Sequence, residues 1–281
     1  MILTHTLKLT NADFNRLSAF IYERVGIKLS PIKKTMLESR LQKRLSTLQM
    51  GSFKEYCDYI FSDQGKQQEL VHMIDQVTTN KTDFFREPNH FSFLQSQLLP
   101  SIDKHYRTYP LRVWSAGCSS GEEVYTLAMV LSEYSCTHTP ISFHIHGTDI
   151  STQVLQKAVT AVYTEDKIAP IPLLLRQKYL LKSKDTTNKT VRIAPSLRSK
   201  VQFDRLNFME DDFNSLPVFD IIFCRNVIIY FDKATQEQVL NRLCSQLRPG
   251  GFFFLGHSES ITNMDVPLKQ IRPTIFQKVT V

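Results

Sequence analysis

Two glycines and two acids stand together in the stretch LRVWSAGCSSGEEVYTLAM, residues 111–129. Gly117 and Gly121 bracket small residues, so a ligand can approach the backbone closely, and the helix expected next offers unpaired N–H groups at its start. A phosphate-binding loop normally adds a lysine or a third glycine. Here Glu122 and Glu123 follow instead, and their charges repel phosphate but suit a ligand with hydroxyls or a positive charge. The stretch therefore predicts a loop that binds S-adenosylmethionine.

A second candidate for the site is segment 77–87, which is polar at first and then aromatic. Its Thr-Asn-x-Thr cluster is followed by Phe84, Phe85 and Arg86. Hydrogen-bonding groups, ring faces and a fixed cation are the mixture that lines ligand pockets. We interpret the segment as a pocket wall, and the alternative is a plain linker.

Polar residues also end two of the predicted strands. Asp149 follows Gly121 by roughly 28 residues, where doubly wound folds place an acid on ribose hydroxyls. Arg225 and Asn226 end a later buried strand, and ligands bind at the carboxyl ends of such strands. Asp is common in turns for other reasons, and a salt-bridged Arg225 with a packed Tyr230 is the structural alternative. We expect these residues to belong to the ligand site.

The elements that must position these residues alternate between strand and helix from residue 111 onward. This pattern predicts a doubly wound α/β sheet. The predicted strands are 111–116, 141–148, 218–224, 251–256 and 274–280, and the predicted helices are 122–135, 151–159 and 233–247.

Residues from about 164 to 204 interrupt the alternation. A turn-like polar run at 182–189 predicts an inserted β hairpin or small β subdomain. The alternative is a disordered loop, since prolines make part of the segment irregular. An excursion from a rigid sheet is a natural place for partner recognition.

The chain before the sheet is predicted to form a small domain of short helices, residues 1–75, because apolar residues recur there at helical spacing. Its second helix, about 30–48, carries a leucine stripe and, beside it, basic residues: Lys33, Arg40, Lys43 and Arg44. These could dock an acidic helix bundle, and a solvated basic face is the alternative. Because the helix belongs to a separate domain, we expect charge reversal there to leave cofactor affinity unchanged.

The composition is that of a globular protein, with 42% hydrophobic and 22% charged residues. No apolar run approaches a membrane span and no signal-peptide pattern is present, so we expect a soluble, cytoplasmic monomer without membrane insertion. A net charge of +7 points to an acidic partner or to nucleic acid. The five cysteines show no CxxC spacing, and the closest histidine pair, His144 and His146, lies in an apolar strand. No metal site is therefore predicted.

The segment from Asn80 to Arg86, the GCSSGEE loop, Asp149 and the stretch FCRNVIIYFD together resemble the chemotaxis receptor methyltransferase (CheR) family. The similarity covers nearly the whole chain. It implies the cofactor S-adenosylmethionine, the products S-adenosylhomocysteine and glutamate methyl esters, and the cytoplasmic domains of chemoreceptors as partners. Recruitment to membrane-bound receptor arrays follows from such partners.

The family's order of parts is also matched. The resemblance implies an α/β fold in which a small all-helical domain, which recognises the receptor, precedes a Rossmann-like methyltransferase sheet with an inserted β subdomain. The corresponding ranges are 1–75 for the helical domain, 76–110 for a linker that contacts the cofactor, 111–281 for the sheet domain and about 164–204 for the insert.

The matched motifs imply a set of cofactor contacts. The residues implied at the methionine end of the cofactor are Asn80, Thr82 and Arg86, and those at its cationic and ribose parts are Glu123 and Asp149. The adenine side and the pocket floor are implied to be formed by Asn207, Phe208, Arg225 and Asn226, and Gly117 is a further cofactor-binding residue. Arg86 and Tyr230 are the implied catalytic pair, which would flank the transferred methyl group.

The chemistry of a glutamate acceptor fits these residues independently of the resemblance. A carboxylate with a pKa of about 4.3 is already ionised at neutral pH and needs no general base, and the chain offers no evident one. The enzyme must instead align the carboxylate oxygen with the methyl group and exclude water. Arg86 could hold that carboxylate.

Two other functions remain open. A nucleic-acid or small-molecule methyltransferase would suit the basic charge, but enzymes that methylate amino groups of bases commonly show Asp/Asn-Pro-Pro-aromatic where this chain has Arg225-Asn-Val-Ile-Ile-Tyr. The other alternative is a non-catalytic receptor-binding module that keeps the cofactor only as a ligand. The presence of Arg86 and Tyr230 argues against it.

Overall fold

The computed structural model describes residues 7–102, 109–138, 140–184, 187 and 189–279. Parts of three predicted segments lie outside the described residues: 1–6 of the helical domain, 103–108 of the linker, and 185, 186 and 188 of the polar run. Residue 280 of the last predicted strand lies outside them too. No described helix has the length and apolar character that crossing a membrane requires.

Five α-helices lie within residues 11–77 of the described chain. They are α1 (Asn11–Val25), α2 (Lys34–Thr47), α3 (Phe53–Ile60), α4 (Asp63–Gln68) and α5 (Leu70–Val77). The hydroxyl of Thr10 accepts from the N–H of Asp13 at the start of α1, and Gly26 ends the helix in the left-handed conformation. The predicted second helix begins as a 3₁₀ turn, Pro31–Lys33, before α2.

The helices pack around their own apolar core. Leucines recur along α2 at helical spacing, and each of them is fully buried in the cluster that also contains residues of α1, α3 and α5: Leu37, Leu41 and Leu45. A helical segment then leads to the sheet and comprises α6 (Asn89–Phe93), a π-helical turn (Leu94–Leu98) and α7 (Leu99–Ile102).

A seven-stranded sheet forms the larger part of the molecule. Its strands are β1 (Leu111–Ala116), β2 (Phe143–Asp149), β6 (Val201–Arg205), β7 (Phe219–Cys224), β8 (Leu247–Leu255), β9 (Leu268–Arg272) and β10 (Ile275–Lys278). The order is β6-β2-β1-β7-β8-β10-β9. The first five run parallel, and β10 is antiparallel to both β8 and β9.

Alternate residues of β1 point to opposite faces of the sheet, as the strand period requires. Leu111 and Val113 pack in the cluster that contains α8 (Glu122–Thr137), whereas Trp114 and Ala116 pack in the cluster of α12 (Lys233–Ser245). Helix α9 (Thr152–Thr160) follows β2. Both faces are covered, which confirms the predicted doubly wound α/β fold.

A small antiparallel sheet is inserted between β2 and β7, as predicted. It has the order β3-β5-β4 and consists of β3 (Val162–Thr164), β4 (Leu180–Lys182) and β5 (Thr190–Ile193), with α10 (Leu173–Tyr179) and α11 (Pro195–Arg198) beside it. Residues 201–204, which we expected in the subdomain, belong instead to β6. They pair with β2 at the edge of the large sheet because their backbone continues its parallel ladder.

Candidate active site

The turn between β1 and α8 is held against the end of β2. The N–H groups of Gly117 and Cys118 each donate to the carbonyl of Thr148 at 2.8 Å. Gly117 has a φ of +84° and Gly121 a φ of +93°, a backbone region that glycine enters without strain. The turn therefore sits at the carboxyl edge of the sheet, where parallel folds bind ligands.

Glycine at position 117 also serves packing within the protein. A Cβ there would lie 2.3 Å from Cγ2 of Val227. We expected this glycine to let a ligand approach the backbone. The contact with Val227 is a second reason for a residue without a side chain at this position. A side chain at this position would collide with the turn that follows β7.

Asp149 ends β2 and is buried. Its Oδ2 accepts from the N–H of Ser119 at 2.8 Å, and its Oδ1 accepts from the N–H of Ser151 at 2.9 Å. Burial raises the pKa of the Asp149 carboxyl above its ordinary value. Each carboxylate oxygen has a second lone pair, so Asp149 can brace the turn and still accept from a ligand hydroxyl.

Arg225, at the end of β7, carries a buried ion-pair network. Its guanidinium lies 3.0 Å from Glu123 Oε2 and 3.1 Å from Glu87 Oε2, and it also donates to the carbonyl of Arg86. The hydroxyl of Ser115 donates to the other oxygen of Glu123 at 2.7 Å. The guanidinium is thus salt-bridged, as in the structural alternative, and it joins the loop of α8 to segment 77–87.

Glu259 is a site residue that we did not predict. Its buried carboxylate accepts backbone N–H groups at 2.6–2.9 Å from four residues: Asn226, Val227, Ile228 and Gly256. Asn226 has a φ of +59°, so the turn needs such support. No spacing in the sequence marked Glu259, because the turn it holds lies about thirty residues earlier.

Segment 77–87 packs against the turn and against α8. The hydroxyl of Ser119 donates to the carbonyl of Asn80 at 3.0 Å, and the N–H of Phe85 donates to Thr126 at 3.1 Å. Lys167 donates to the carbonyl of Thr82. This packing favours a pocket wall over a plain linker. Arg86 is half-buried, and its guanidinium makes one hydrogen bond to a described residue, the carbonyl of Lys81 at 3.0 Å.

Asn207 connects the helical domain to the sheet domain. Its buried amide donates to the carbonyl of Arg24 at 2.8 Å, and its Oδ1 accepts from the N–H of Met209 at 3.0 Å. Phe208 is buried and packs edge-on against Phe213. The amide of Asn207 is therefore engaged within the protein, while the residue still borders the cavity described next.

One cavity brings the predicted residues together. Its wall includes every residue that the sequence assigned to the cofactor or to catalysis: Asn80, Thr82, Arg86, Gly117, Glu123, Asp149, Asn207, Phe208, Arg225, Asn226 and Tyr230. Its polar wall includes two carboxylates, Glu123 and Asp149, and its apolar wall includes Ile150, Leu206 and Phe208. Such a wall fits the cation, ribose and base of S-adenosylmethionine.

The helical domain supplies part of the same wall. Six residues between Val25 and Met36 border the cavity, among them Lys33, and the N–H of Lys28 donates to the carbonyl of Tyr230 at 3.0 Å. The separation that we expected between the basic helix and the cofactor site is therefore incomplete. The helical domain packs directly on the turn that carries Tyr230.

The other basic residues of α2 differ in their surroundings. Arg40 donates to the carbonyls of Val77 and Thr78, and Arg44 makes two bonds of 2.6 and 2.7 Å to the buried Glu69. Lys43 is exposed. Arg40 and Arg44 thus contribute to the internal structure of the helical domain, and Lys43 is available for docking.

Comparisons with known proteins agree with this geometry. Residues 12–78 match the model described as "CheR methyltransferase, all-alpha domain", and residues 80–276 match "CheR methyltransferase, SAM binding domain". The chain is 38% identical to the chemotaxis protein methyltransferase of Borreliella burgdorferi, with 97% of this chain and 96% of the relative covered.

Two further relatives give the same result. Chemotaxis protein methyltransferase 2 of Pseudomonas aeruginosa is 36% identical over 95% of this chain and 93% of its own length. The chemotaxis protein methyltransferase of Escherichia coli is 36% identical over 94% and 89%. With both domain models matched in order and the predicted residues gathered around one cavity, the chain belongs to the CheR family of S-adenosylmethionine-dependent methyltransferases.

Proposed function

We propose that this chain methylates glutamate side chains on the cytoplasmic domains of chemoreceptors, giving glutamate methyl esters for chemotactic adaptation. The observation that carries the proposal is the placement of Arg86 on the same cavity wall as Glu123 and Asp149. Its guanidinium has five donors, and one of them bonds a described residue. A cation with donors to spare suits an acidic substrate.

The cofactor end of the site is assigned to the acids. S-adenosylmethionine supplies an electrophilic methyl group when it is bound. Asp149 would accept from the ribose hydroxyls, and Glu123 would face the positive charge. Because Ser115 and Arg225 fix Glu123, and backbone N–H groups fix Asp149, these carboxylates are already oriented before binding.

The substrate end is assigned to Arg86 and Tyr230. A planar guanidinium can hold a carboxylate through two parallel bonds and so fix which oxygen faces the methyl group. Tyr230 lies on the 3₁₀ turn Ile228–Tyr230, next to the helical domain. The described wall contains no histidine, which suits a nucleophile that is already ionised.

The nature of the partner rests on charge and on the relatives. The three relatives described above are named chemotaxis protein methyltransferases, and their similarity to this chain extends over both domains. The exposed Lys43 would attract clustered glutamates on a receptor. With such a partner, the enzyme would be recruited to receptor arrays in the cytoplasm. Its substrate would be a protein and not a nucleic acid. We further propose that the monomer is the active form.

The test is a methylation assay with S-adenosylmethionine labelled in its methyl group. Substrates are a receptor cytoplasmic fragment, the same fragment with its clustered glutamates replaced by alanine, and RNA. We expect alkali-labile label on the first alone. Base-stable label on RNA would replace the proposal with a nucleic-acid methyltransferase. Cofactor binding without turnover on any fragment would support a non-catalytic module.

Arg86→Lys separates orientation from charge. We expect it to lower kcat on the order of 10²-fold, because an ammonium cannot hold a carboxylate in a planar fork. Arg198→Lys is the matched control, since Arg198 is also half-buried and donates to a backbone carbonyl but borders no part of the cavity. Full turnover by Arg86→Lys would make Arg86 a structural residue.

A further inference from the structure

A cluster of three ligand-type side chains lies on the other side of Arg225 from the cofactor loop. Glu87 and His90 stand at the start of α6, and His257 follows β8. One ligand atom from each lies within 4.8 Å of the others. The side chain of His90 is 2% exposed, that of Glu87 is 11% exposed and that of His257 is 53% exposed.

Nε2 of His90 lies 2.8 Å from the hydroxyl of Thr274, which in turn lies 2.7 Å from the carbonyl of Pro273. The neutral imidazole carries its proton on one nitrogen, and which one depends on whether the hydroxyl donates to Pro273 or to His90. A metal ion requires the tautomer with the proton on Nε2, which leaves Nδ1 as an acceptor.

That acceptor is buried and has no hydrogen-bond partner among the described residues. Oε2 of Glu87 lies 3.7 Å away and is also an acceptor, already paired with the guanidinium of Arg225 at 3.1 Å. A cation bound between Nδ1 and Oε2 would give the buried imidazole nitrogen the partner that it lacks. This arrangement points to a cation.

The distances fit a small transition-metal ion. Nε2 of His257 lies 3.8 Å from Oε2 of Glu87, close to the 3.7 Å between Glu87 and His90. Bonds of about 2.0–2.2 Å in a tetrahedral zinc site place ligand atoms about 3.4 Å apart. The separations of Glu87 from His90 and from His257 each exceed this value by a few tenths of an ångström, and the side chain of His257 is exposed on the open side of the cluster.

The ligand types and their surroundings select the class of ion. Two imidazoles and a carboxylate suit zinc and its neighbours rather than magnesium or calcium, and they leave a fourth position open. The bond from His90 to Thr274 and the contact of Glu87 with Arg225 orient both ligands, as outer partners do in metal sites.

We propose that Glu87, His90 and His257 bind one divalent transition-metal cation of the zinc class, at a site outside the cofactor cavity. The site has an approach from solvent, because His90 and His257 also border a second, open cavity beside Thr274. The sequence predicted no metal, since His257 and Glu87 are 170 positions apart and their spacing carries no signal.

The test uses the full chain after removal of any bound metal. Calorimetry then measures its binding of zinc. All chains carry Cys136→Ser, which removes the exposed thiol. The variants are His257→Ala and His90→Gln, and the matched control is His144→Ala, an exposed histidine on β2. We expect one zinc ion per chain, roughly 100-fold weaker binding in both variants, and no change in the control.

Two further readouts separate a specific site from surface binding. The control chain loaded with cobalt should show the visible absorption of a tetrahedral complex. The His257→Ala chain treated in the same way should not show it. Zinc should raise the unfolding temperature of the control and not that of His257→Ala, whose metal-free unfolding temperature should be unchanged. The proposal is overturned if zinc binds His257→Ala and the control equally, or if the stripped chain binds none.

Discussion

At the scale of the residue, the carboxylate of Glu259 accepts four backbone N–H groups that would otherwise be buried without partners. Oε1 accepts from the N–H groups of Val227 and Ile228. Oε2 accepts from those of Asn226 and Gly256. Asn226 and Val227 border the cofactor cavity, so this acid acts on the site through the backbone.

Glu259→Gln is expected to destabilise the protein by about 2–4 kcal/mol, because an amide group offers one acceptor oxygen and turns an NH₂ toward two of the four donors. Cofactor affinity should fall in parallel. Chemical denaturation and calorimetry measure the two effects, and Glu23→Gln on the exposed face of α1 is the control. Unchanged stability would show that Glu259 does not hold the turn.

Gly117 allows a test by a double-mutant cycle. Gly117→Ala should cost about 2–4 kcal/mol, since alanine is strained at a φ of +84° and its Cβ would press on Val227. Adding Val227→Ala should recover the steric part and leave the backbone part. Denaturation curves of the four proteins give the coupling. Additive costs would mean that Val227 does not restrict position 117.

At the scale of the element, the insert is attached to α8 through a side-chain cluster. Glu133 of α8 accepts from Lys178 and from Tyr179 of α10, each at 2.6 Å. Partial burial raises the pKa of Glu133. The two hydrogen bonds together lower it by more, so the net shift is downward. The ionised carboxylate therefore favours the docked insert.

Glu133→Gln should cost about 0.5–1 kcal/mol at neutral pH, the usual range for a partly exposed pair. Because the folded-state pKa lies below the ordinary value of 4.5, the wild-type advantage is complete above that pH. It is lost as the pH falls through the lowered pKa. Denaturation of both proteins between pH 7 and pH 3 measures the difference. A difference that persists at the acidic end would contradict the assignment.

Elements with a strong periodic pattern could be predicted from sequence, and those defined by long-range pairing could not. The alternation from Leu111 onward identified β1, α8, β2, α9, β7, α12, β8 and β10. Strands β6 and β9 were missed because each is a short edge strand with partly exposed side chains. Edge strands lack the apolar continuity that marks a buried one.

The residues of the candidate site also fall into a group that could be predicted from sequence and a group that could not. Residues on one continuous motif, such as Gly117 and Glu123, could be found by inspection. The supporting partners Glu259 and Glu87 could not, because each acts on a residue more than thirty positions away. Likewise, the basic stripe on α2 does not show that Arg44 already has a buried acid as its partner.

At the scale of the whole molecule, the two basic residues Lys43 and Arg44 should behave differently although they are neighbours. Lys43→Glu should lower the rate of receptor methylation about two- to five-fold at low salt, with the effect fading as salt increases. Stability and cofactor affinity should not change, since Lys43 is exposed and does not border the cofactor cavity.

Arg44→Glu is the matched comparison. It leaves the carboxylate of Glu69, whose side chain is 2% exposed, without its cation, and we expect a loss of about 3–5 kcal/mol in stability. Initial rates at two salt concentrations and denaturation curves distinguish the variants. If Lys43→Glu methylates receptor at the wild-type rate in low salt, α2 is a solvated face and takes no part in docking.

The cofactor cavity is walled by two domains, since six residues between Val25 and Met36 border it beside residues of the sheet domain. A chimera that carried the helical domain of a relative would therefore also receive a foreign section of cavity wall. If that domain docks the receptor, as we propose for Lys43, receptor preference and the fit around Tyr230 and Asn207 must change together.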